Sequence, residues 1–325
     1  MKLNNAASLP VKLLRYLLMA FVLLISLYPI AWVLINSFKQ TPGGLGFPEK
    51  WVFDGYITIF TKLNIGRYFA NSLIVTVIST VISVFVVSLA AYVSARIEFR
   101  GKNLVTLMFA STLFIPSISI SFPIYRLLSD LGLKDTLTGV IFVYASLGIA
   151  VTFFILRSYF LSIPKEMEEA AMMDGCGYIS TYFRIIVPIA KPGLATAAIM
   201  AFLNNWNEYY FASILLKSKE HMTLPALLGQ FTTAYSKNLN GMFSAIILIV
   251  LPTIINIILT TTLLAFHQDI FPGDHSLIIA TVMGIMVECC LAGFVLFSLA
   301  KRTRNHLARD RVWMDSLIGY VESHG

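Results

Sequence analysis

The sequence predicts an all-α, polytopic membrane protein, and three observations carry that prediction. Hydrophobic residues make up 57% of the 325-residue chain and charged residues only 13%, against roughly 45–50% and about 25% in soluble domains. Apolar runs recur along the chain at the length of about 20 residues that a bilayer crossing needs. Within those runs the apolarity is continuous, without the two-residue alternation of a membrane barrel. Only a helix or a closed barrel satisfies every backbone N–H and C=O in hydrocarbon, so the runs are read as helices.

Six runs cover residues 16–35, 68–93, 104–125, 137–159, 194–216 and 242–266. Lys2, Lys12 and Arg15 precede the first, which is too long for a signal-peptide core and lacks a small-residue cleavage site, so it is read as a retained span. Pro116, Ser117, Ser119, Ser121 and Pro123 mark the third as a kinked, locally polar helix. Its serines either widen a pathway or satisfy backbone carbonyls. A seventh run, 277–300, carries Glu288 near its middle and is followed by Lys301, Arg302, Arg304, Arg309 and Arg311. It spans, re-enters or lies along the surface, and Leu307, Trp313, Leu317 and Val321 give the tail the pattern of an interfacial helix. The absence of an internal repeat or low-complexity linker argues for one integral domain.

The formal charge of +7 comes from Lys and Arg scattered among the loops, not from one basic face, so a nucleic-acid partner is not expected. Cys176, Cys289 and Cys290 form no even disulfide framework. The chain has no Walker-type phosphate loop, no nucleophile motif and no histidine or cysteine pair at metal-ligand spacing. A non-catalytic subunit is expected, with no catalytic residue, metal or cofactor of its own.

The longest connection rich in charge and helix signals covers about 161–193. Pro164 suits a first helical turn, and Glu166, Glu168 and Glu169 follow where carboxylates face the positive end of the helix dipole. Gly175 and Gly177 break that helix. A second short run carries Phe183, Ile185 and Ile186, and Pro188 and Pro192 stop it. The expected product is a helix–turn–helix outside the bilayer.

Here the pattern becomes specific. Glu169-Ala170-Ala171, three residues, Gly175, nine residues, then Ile185-Ile186-Val187-Pro188 resembles the EAA loop of ABC importer permeases, with Val187 where the family has Leu. The resemblance extends over nearly the first 270 residues and narrows to carbohydrate-type permeases similar to the second membrane subunit of maltose importers. Its phrases are Tyr28-Pro29 through Asn36-Ser37-Phe38-Lys39; Asn71-Ser72-Leu73-Ile74-Val75; Ala90-Ala91-Tyr92 with Ala95-Arg96 and Phe99-Arg100-Gly101-Lys102; Leu131-Gly132-Leu133 with Asp135-Thr136; Arg157-Ser158 with Ser162-Ile163-Pro164; and Trp206-Asn207-Glu208.

The resemblance implies a six-helix importer permease core over residues 1–270, set in a bacterial or archaeal cytoplasmic membrane, with 271–325 as an atypical extension that holds an additional C-terminal apolar segment. It implies an EAA loop in the cytoplasm, seated in a cleft of a separate ATP-binding subunit dimer that binds the ATP. The coupling residues it implies are Glu168, Glu169, Ala170, Ala171, Asp174, Gly175 and Pro188. A second homologous permease, an extracellular or periplasmic solute-binding protein and membrane lipid are the other implied partners. Orientation rests on this resemblance, because Lys and Arg are spread almost evenly over the two sets of loops.

Asn204, Asn205, Trp206, Asn207, Glu208, Tyr209 and Tyr210 form a polar and aromatic cluster inside an apolar run. A central acid costs roughly 2.5–3.5 kcal/mol on insertion scales, so intramembrane ionisable groups face a cavity or a partner. Helical spacing places Asn204, Asn207 and Glu208 on one side and Trp206 with Tyr210 on a neighbouring stripe. Amides and carboxylates hydrogen-bond sugar hydroxyls, and aromatic rings cover the less polar sugar faces. The same groups also serve as interhelical glue. The candidate pathway set is Asn204, Asn205, Trp206, Asn207, Glu208 and Tyr210 with Ser117 and Ser121. Three readings follow: an importer of a sugar or oligosaccharide working by alternating access, an importer of another solute such as glycerol phosphate or an amino acid, and a non-transporting membrane scaffold. Anionic cargo prefers Arg or Lys near the midplane, which these runs lack.

Overall fold

A computed structural model of the chain describes residues 9–63, 65–232 and 239–270. In chain order its helices are α1 (Leu9–Ser37), α2 (Asp54–Lys62), α3 (Ile65–Arg96), α4 (Lys102–Thr112), a 3₁₀ turn (Ser117–Ile120) and α5 (Ser121–Asp130). There follow α6 (Leu137–Ser146), α7 (Ile149–Ser162), α8 (Glu166–Met173), α9 (Tyr178–Thr181), a π turn (Tyr182–Ile186) and α10 (Val187–Ile189). The series ends with α11 (Lys191–Trp206), α12 (Tyr210–Leu215) and α13 (Leu239–Ile270). No strand occurs among the described residues. The seventh apolar run and the basic tail lie outside them.

The first, second and sixth expected spans are continuous helices, but the third, fourth and fifth are broken. Pro116 adopts an extended conformation, and α4 meets the segment 117–130 at 97°. Gly148 lies in the left-handed region at φ +71°, where a side chain is disfavoured, and α6 meets α7 at 49°. The fifth run ends its helix at Asn207 and restarts at Tyr210. Helix α3 has the length and apolarity to cross a membrane by itself, and each of the three bent pairs qualifies when its two segments are taken together.

The described helices fall into two compact units. In the first, α1, α2 and α13 pack together, with Trp32 edge-on to Phe243. The phrase Asn36-Ser37-Phe38-Lys39 builds the turn after α1. Asn36 accepts from the Gly43 amide at 2.8 Å, the Lys39 ammonium donates to the Gly44 carbonyl at 2.7 Å, and Asn240 donates to the Lys39 carbonyl at 2.6 Å.

In the second unit, residues 65–230, α3 is the axis. It buries Ser72, Thr76, Ser79, Thr80, Ser83 and Ser88 while Ile78, Val81, Phe85 and Val86 are exposed, the inverse of a soluble amphipathic helix. Small hydroxyl residues let neighbouring helices approach closely in a bilayer, where large aliphatic side chains face lipid or another subunit. One core packs Ala91 and Tyr92 of α3 against Phe153, Leu156 and Phe160 of α7 and against Tyr182 and Ile186. Another joins Val75 to Leu128, Val140, Tyr144, Phe211 and Leu215. Thr136 caps α6 by accepting from the Gly139 amide at 3.1 Å.

Candidate functional site

Two constructions in the second unit hold the residues singled out by sequence. The first is the connection between α7 and α11. Helix α8 begins with Glu166, Glu168 and Glu169 in its first turn and ends in a reciprocal glycine cap. The Gly175 amide donates to the Met172 carbonyl and the Cys176 amide to the Ala171 carbonyl, both at 3.0 Å, with Gly175 at φ +83°. Gly175 therefore makes the expected sharp reversal.

The end of the second run differs from expectation. Pro188 does not stop it: the preceding turn widens into the π turn at 182–186, which relieves the clash of the proline ring with the carbonyl four residues back, and the helix continues to Ile189. The break falls at Ala190, and Pro192 lies in the first turn of α11, where its missing N–H costs nothing. The segments on either side meet at 79°. Gly193 lets α11 approach α7, because a methyl there would collide with the Tyr159 ring.

The glutamates of α8 divide. Glu166 and Glu169 are exposed, as are Ala170, Asp174 and Pro188, whereas Glu168 and Ala171 are buried. The resemblance implies coupling roles for both Glu168 and Glu169, but the Glu168 carboxylate is turned inward onto Arg96, at 2.6 Å, with 5% of the Arg96 side chain and 9% of the Glu168 side chain exposed. Tyr92 donates to the other Glu168 oxygen at 3.2 Å, and Arg96 donates to the Ile163 carbonyl at 2.6 Å. Around this anchor Met173 is 89% and Ile179 76% exposed, and Tyr178 and Phe183 are exposed as well.

The second construction is a polar junction where the helix breaks meet. The chain leaves helical geometry at 207–209, so Asn204, Asn207 and Glu208 do not share a helix face as predicted. Glu208 instead lies just ahead of α12, its two carboxylate oxygens accepting from the Phe211 amide at 2.8 Å and the Ala212 amide at 3.1 Å. It satisfies donors that a helix start leaves open. Its carbonyl accepts from Tyr144 of α6 at 3.0 Å.

Asn205 is buried and donates to Ser79 at 3.0 Å and Thr80 at 3.3 Å, clasping α11 to α3. Trp206 is buried edge-on to Phe69 and stacked on Phe202. Asn204 and Asn207 are exposed. The Asn204 amide lies close to Gly148, at the α6/α7 break, and Asn207 donates to the Leu203 carbonyl at 2.9 Å. Tyr210 donates to Ser121 at 3.1 Å, bringing two predicted pathway residues together, while Ser117 is exposed on the 3₁₀ turn.

A third polar tie holds the loop 217–224. Asp135, at φ +58°, accepts from the Lys217 amide at 2.7 Å and from the Ser218 amide at 3.0 Å and hydroxyl at 3.2 Å. Burial pushes the Asp135 carboxyl upward, but these donors and the nearby His221 outweigh it and hold it below the usual carboxylate range. Asn71 donates to the Glu220 and Met222 carbonyls, and Ser72 accepts from the Leu224 amide. Sequence reading assigns no role to Ser88, Tyr92 or Arg96; their recurrence every four residues, with an arginine closing an apolar helix, points to no partner.

Residues 86–271 match the family described as binding-protein-dependent transport system inner membrane component. The chain is 35% identical over 241 residues to the probable ABC transporter permease protein YurM of Bacillus subtilis, covering 72% of this chain and 80% of that one. It is 32% identical over 237 residues to a diacetylchitobiose uptake system permease protein of Streptomyces coelicolor, covering 71% and 78%. In structure it is similar to a bacterial ABC transporter involved in the import of the acidic polysaccharide alginate, with a TM-score of 0.64 and 25% sequence identity over 77% of this chain and 95% of that one.

Proposed function

The chain belongs to the family of binding-protein-dependent transport system inner membrane components, and from that membership we propose that it is the membrane subunit through which a neutral sugar or oligosaccharide is imported, driven by ATP hydrolysis on a separate subunit. The observation that carries this reading is the element between α7 and α11: an acidic, alanine-bearing helix closed by a glycine cap, with Glu169 exposed and with Met173, Tyr178, Ile179 and Phe183 exposed on the same connection. Such a rigid knob suits docking into a cleft on an ATP-binding dimer. Small Ala170 and Ala171 keep the helix slim, and exposed methionines adapt to an apolar groove.

The polar junction is the proposed pathway. Asn204, Asn207 and Ser117 offer hydrogen-bonding groups to hydroxyls, and the Ser121–Tyr210 pair forms part of its wall. Asn205, Trp206 and Glu208 hold the junction together and do not touch cargo. Irregular backbone at membrane depth is tolerated where it lines a cavity or is buried in protein. Discontinuous helices are a common way to build a solute site in transporters. In this reading the bent pairs each cross the cytoplasmic membrane, a second homologous permease completes the passage, and an external solute-binding protein delivers cargo. Alternating access follows when closure of the ATPases moves the knob. Residues 271–325 form an extension to this core.

Reconstitution tests the proposal: the chain with its companion permease, ATPase and solute-binding protein in proteoliposomes. The expected result is sugar-stimulated ATP hydrolysis with uptake that Gly175→Pro abolishes. Absence of stimulation by any sugar the solute-binding protein binds, or uptake unchanged by Gly175→Pro, overturns it.

A further inference from the structure

Ser88, Tyr92 and Arg96 recur every four residues and so form one stripe along the end of α3. Each contacts the connection between α7 and α11. Ser88 donates to the Phe85 carbonyl at 2.8 Å, which leaves Tyr182 as donor in their 2.7 Å hydrogen bond. Tyr92 donates to Glu168 and packs against the Tyr182 ring, with centroids 5.0 Å apart. Arg96 pairs with Glu168 and holds the Ile163 carbonyl just before α8.

Both limbs of the knob are thus gripped by the same stripe, α8 through Glu168 and the π turn through Tyr182. All of these polar contacts are buried or partly buried, and water competes weakly with them there. Farther along the same helix, Ser79 and Thr80 hold Asn205, next to the exposed Asn204 and two residues from Asn207. Arg96 and Ser79 are separated by about 25 Å of continuous helix at 1.5 Å per residue.

We propose that the Ser88–Tyr92–Arg96 stripe, with Glu168 as its keystone, is the linkage that makes α3 and the docking knob one rigid lever, so that displacement of the knob is delivered to the polar junction through the Asn205 clasp. Glu168 and Glu169, adjacent in sequence, then have different tasks. Glu169 meets the partner, and Glu168 ties the knob to the membrane helix as a positioning residue. This inference rests on the reading that the knob docks on an ATP-binding subunit.

The test uses the full complex in lipid nanodiscs, with Cys176→Ser, Cys289→Ser and Cys290→Ser. Spin labels are placed at Lys165→Cys, just before α8, and at Val81→Cys, on the exposed face of α3. Label separation is measured without nucleotide and after trapping with ATP and vanadate. The expected separation changes by less than about 2 Å between the two states, within the range of small helix shifts at packed interfaces. With Glu168→Gln, or with Arg96→Met and Glu168→Leu together, it shifts by more than that on trapping while the ATPase stays bound. The paired variant removes both charges and so leaves no orphan ion to unfold the site. Glu169→Gln is expected to weaken retention of the ATPase and to leave the separation unchanged. A separation that changes in the unaltered complex, or one in the paired variant that stays as constant as in the unaltered complex, overturns the linkage. If the unaltered complex neither retains an ATPase nor hydrolyses ATP, the docking reading fails, and the linkage fails with it.

Discussion

At the proposed docking knob, Glu168, Tyr92, Arg96, Ser88 and Tyr182 turn their polar atoms toward one another and away from water, while Glu166, Glu169 and Asp174 are exposed together with Met173, Tyr178, Ile179 and Phe183. At the helix breaks, Asn204 and Asn207 are exposed while Asn205 between them is buried. The knob resembles a joint in that these buried polar groups are consumed in fixing one geometry. The junction keeps Asn204 and Asn207 at the surface, where the proposed contact with a hydroxylated solute needs them. In that reading polar residues carry two tasks that composition alone cannot separate, and burial tells them apart.

Four perturbations test this contrast. The largest effect on stability is expected from Gly193→Ala. The new methyl meets the Tyr159 ring at the α7/α11 crossing, and overpacking of this kind costs about 1–3 kcal/mol. Thermal unfolding in detergent reads it. An unchanged midpoint would show that the knob's root yields easily and is not a rigid mount.

Next are the three asparagines. Asn205→Ala removes the donors held by Ser79 and Thr80 and is expected to cost about 1–2 kcal/mol, the upper range for interhelical hydrogen bonds in membranes. Asn204→Ala and Asn207→Ala are expected to stay within about 0.5 kcal/mol in stability, as exposed positions usually do. They should instead raise the KM for sugar uptake by about three- to ten-fold, one hydrogen bond's worth. If all three behaved alike, the division between clasp and contact surface would be lost.

Gly175→Ala is a smaller and different case. Nothing lies within 4 Å of the added methyl, so the cost is purely the left-handed backbone, about 1 kcal/mol. Stability should fall slightly, while ATP-dependent uptake falls more if the angle of the reversal matters to docking. Equal fractional losses in folded yield and uptake would reduce Gly175 to a structural cap.

Much of this was legible in the sequence because it is local. The apolar runs set the helices, Gly175 set the reversal, and Pro116 announced the bend in the third run. The breaks at Gly148 and Asn207–Tyr209 are not legible in the same way. Hydropathy stays high across Gly148, and although it dips at 204–210, neither a glycine nor a cluster of amides within an apolar run by itself ends a helix. The consequence was largest at Glu208, assigned a helix face that the chain leaves before reaching it. The Arg96–Glu168 pair is hidden for another reason: Arg96 belongs to a phrase of the resemblance and Glu168 to its implied coupling set, but nothing local tells an arginine at a helix end which distant carboxylate it will meet.

The smallest effect is expected at Asp135, in a connection outside the helices, and its pH dependence gives it a distinct signature. The folded carboxyl is held below its ordinary value, chiefly by the Lys217 and Ser218 donors acting against burial. Its contribution is therefore fully present above the unfolded pKa of about 4 and is lost as the pH falls through the lower folded value. At neutral pH, Asp135→Asn should lower stability by under about 1 kcal/mol, since the site is partly exposed and screened. Hydrogen exchange at the Lys217 and Ser218 amides should accelerate with it. At a pH below both pKa values the unaltered protein carries a neutral carboxylic acid there, and the difference between the two should shrink toward zero. A difference that persists unchanged in acid would mean that side-chain shape, not charge, secures this loop, and that the left-handed turn at Asp135 is maintained by packing of Leu133 and Leu137 against the adjoining core.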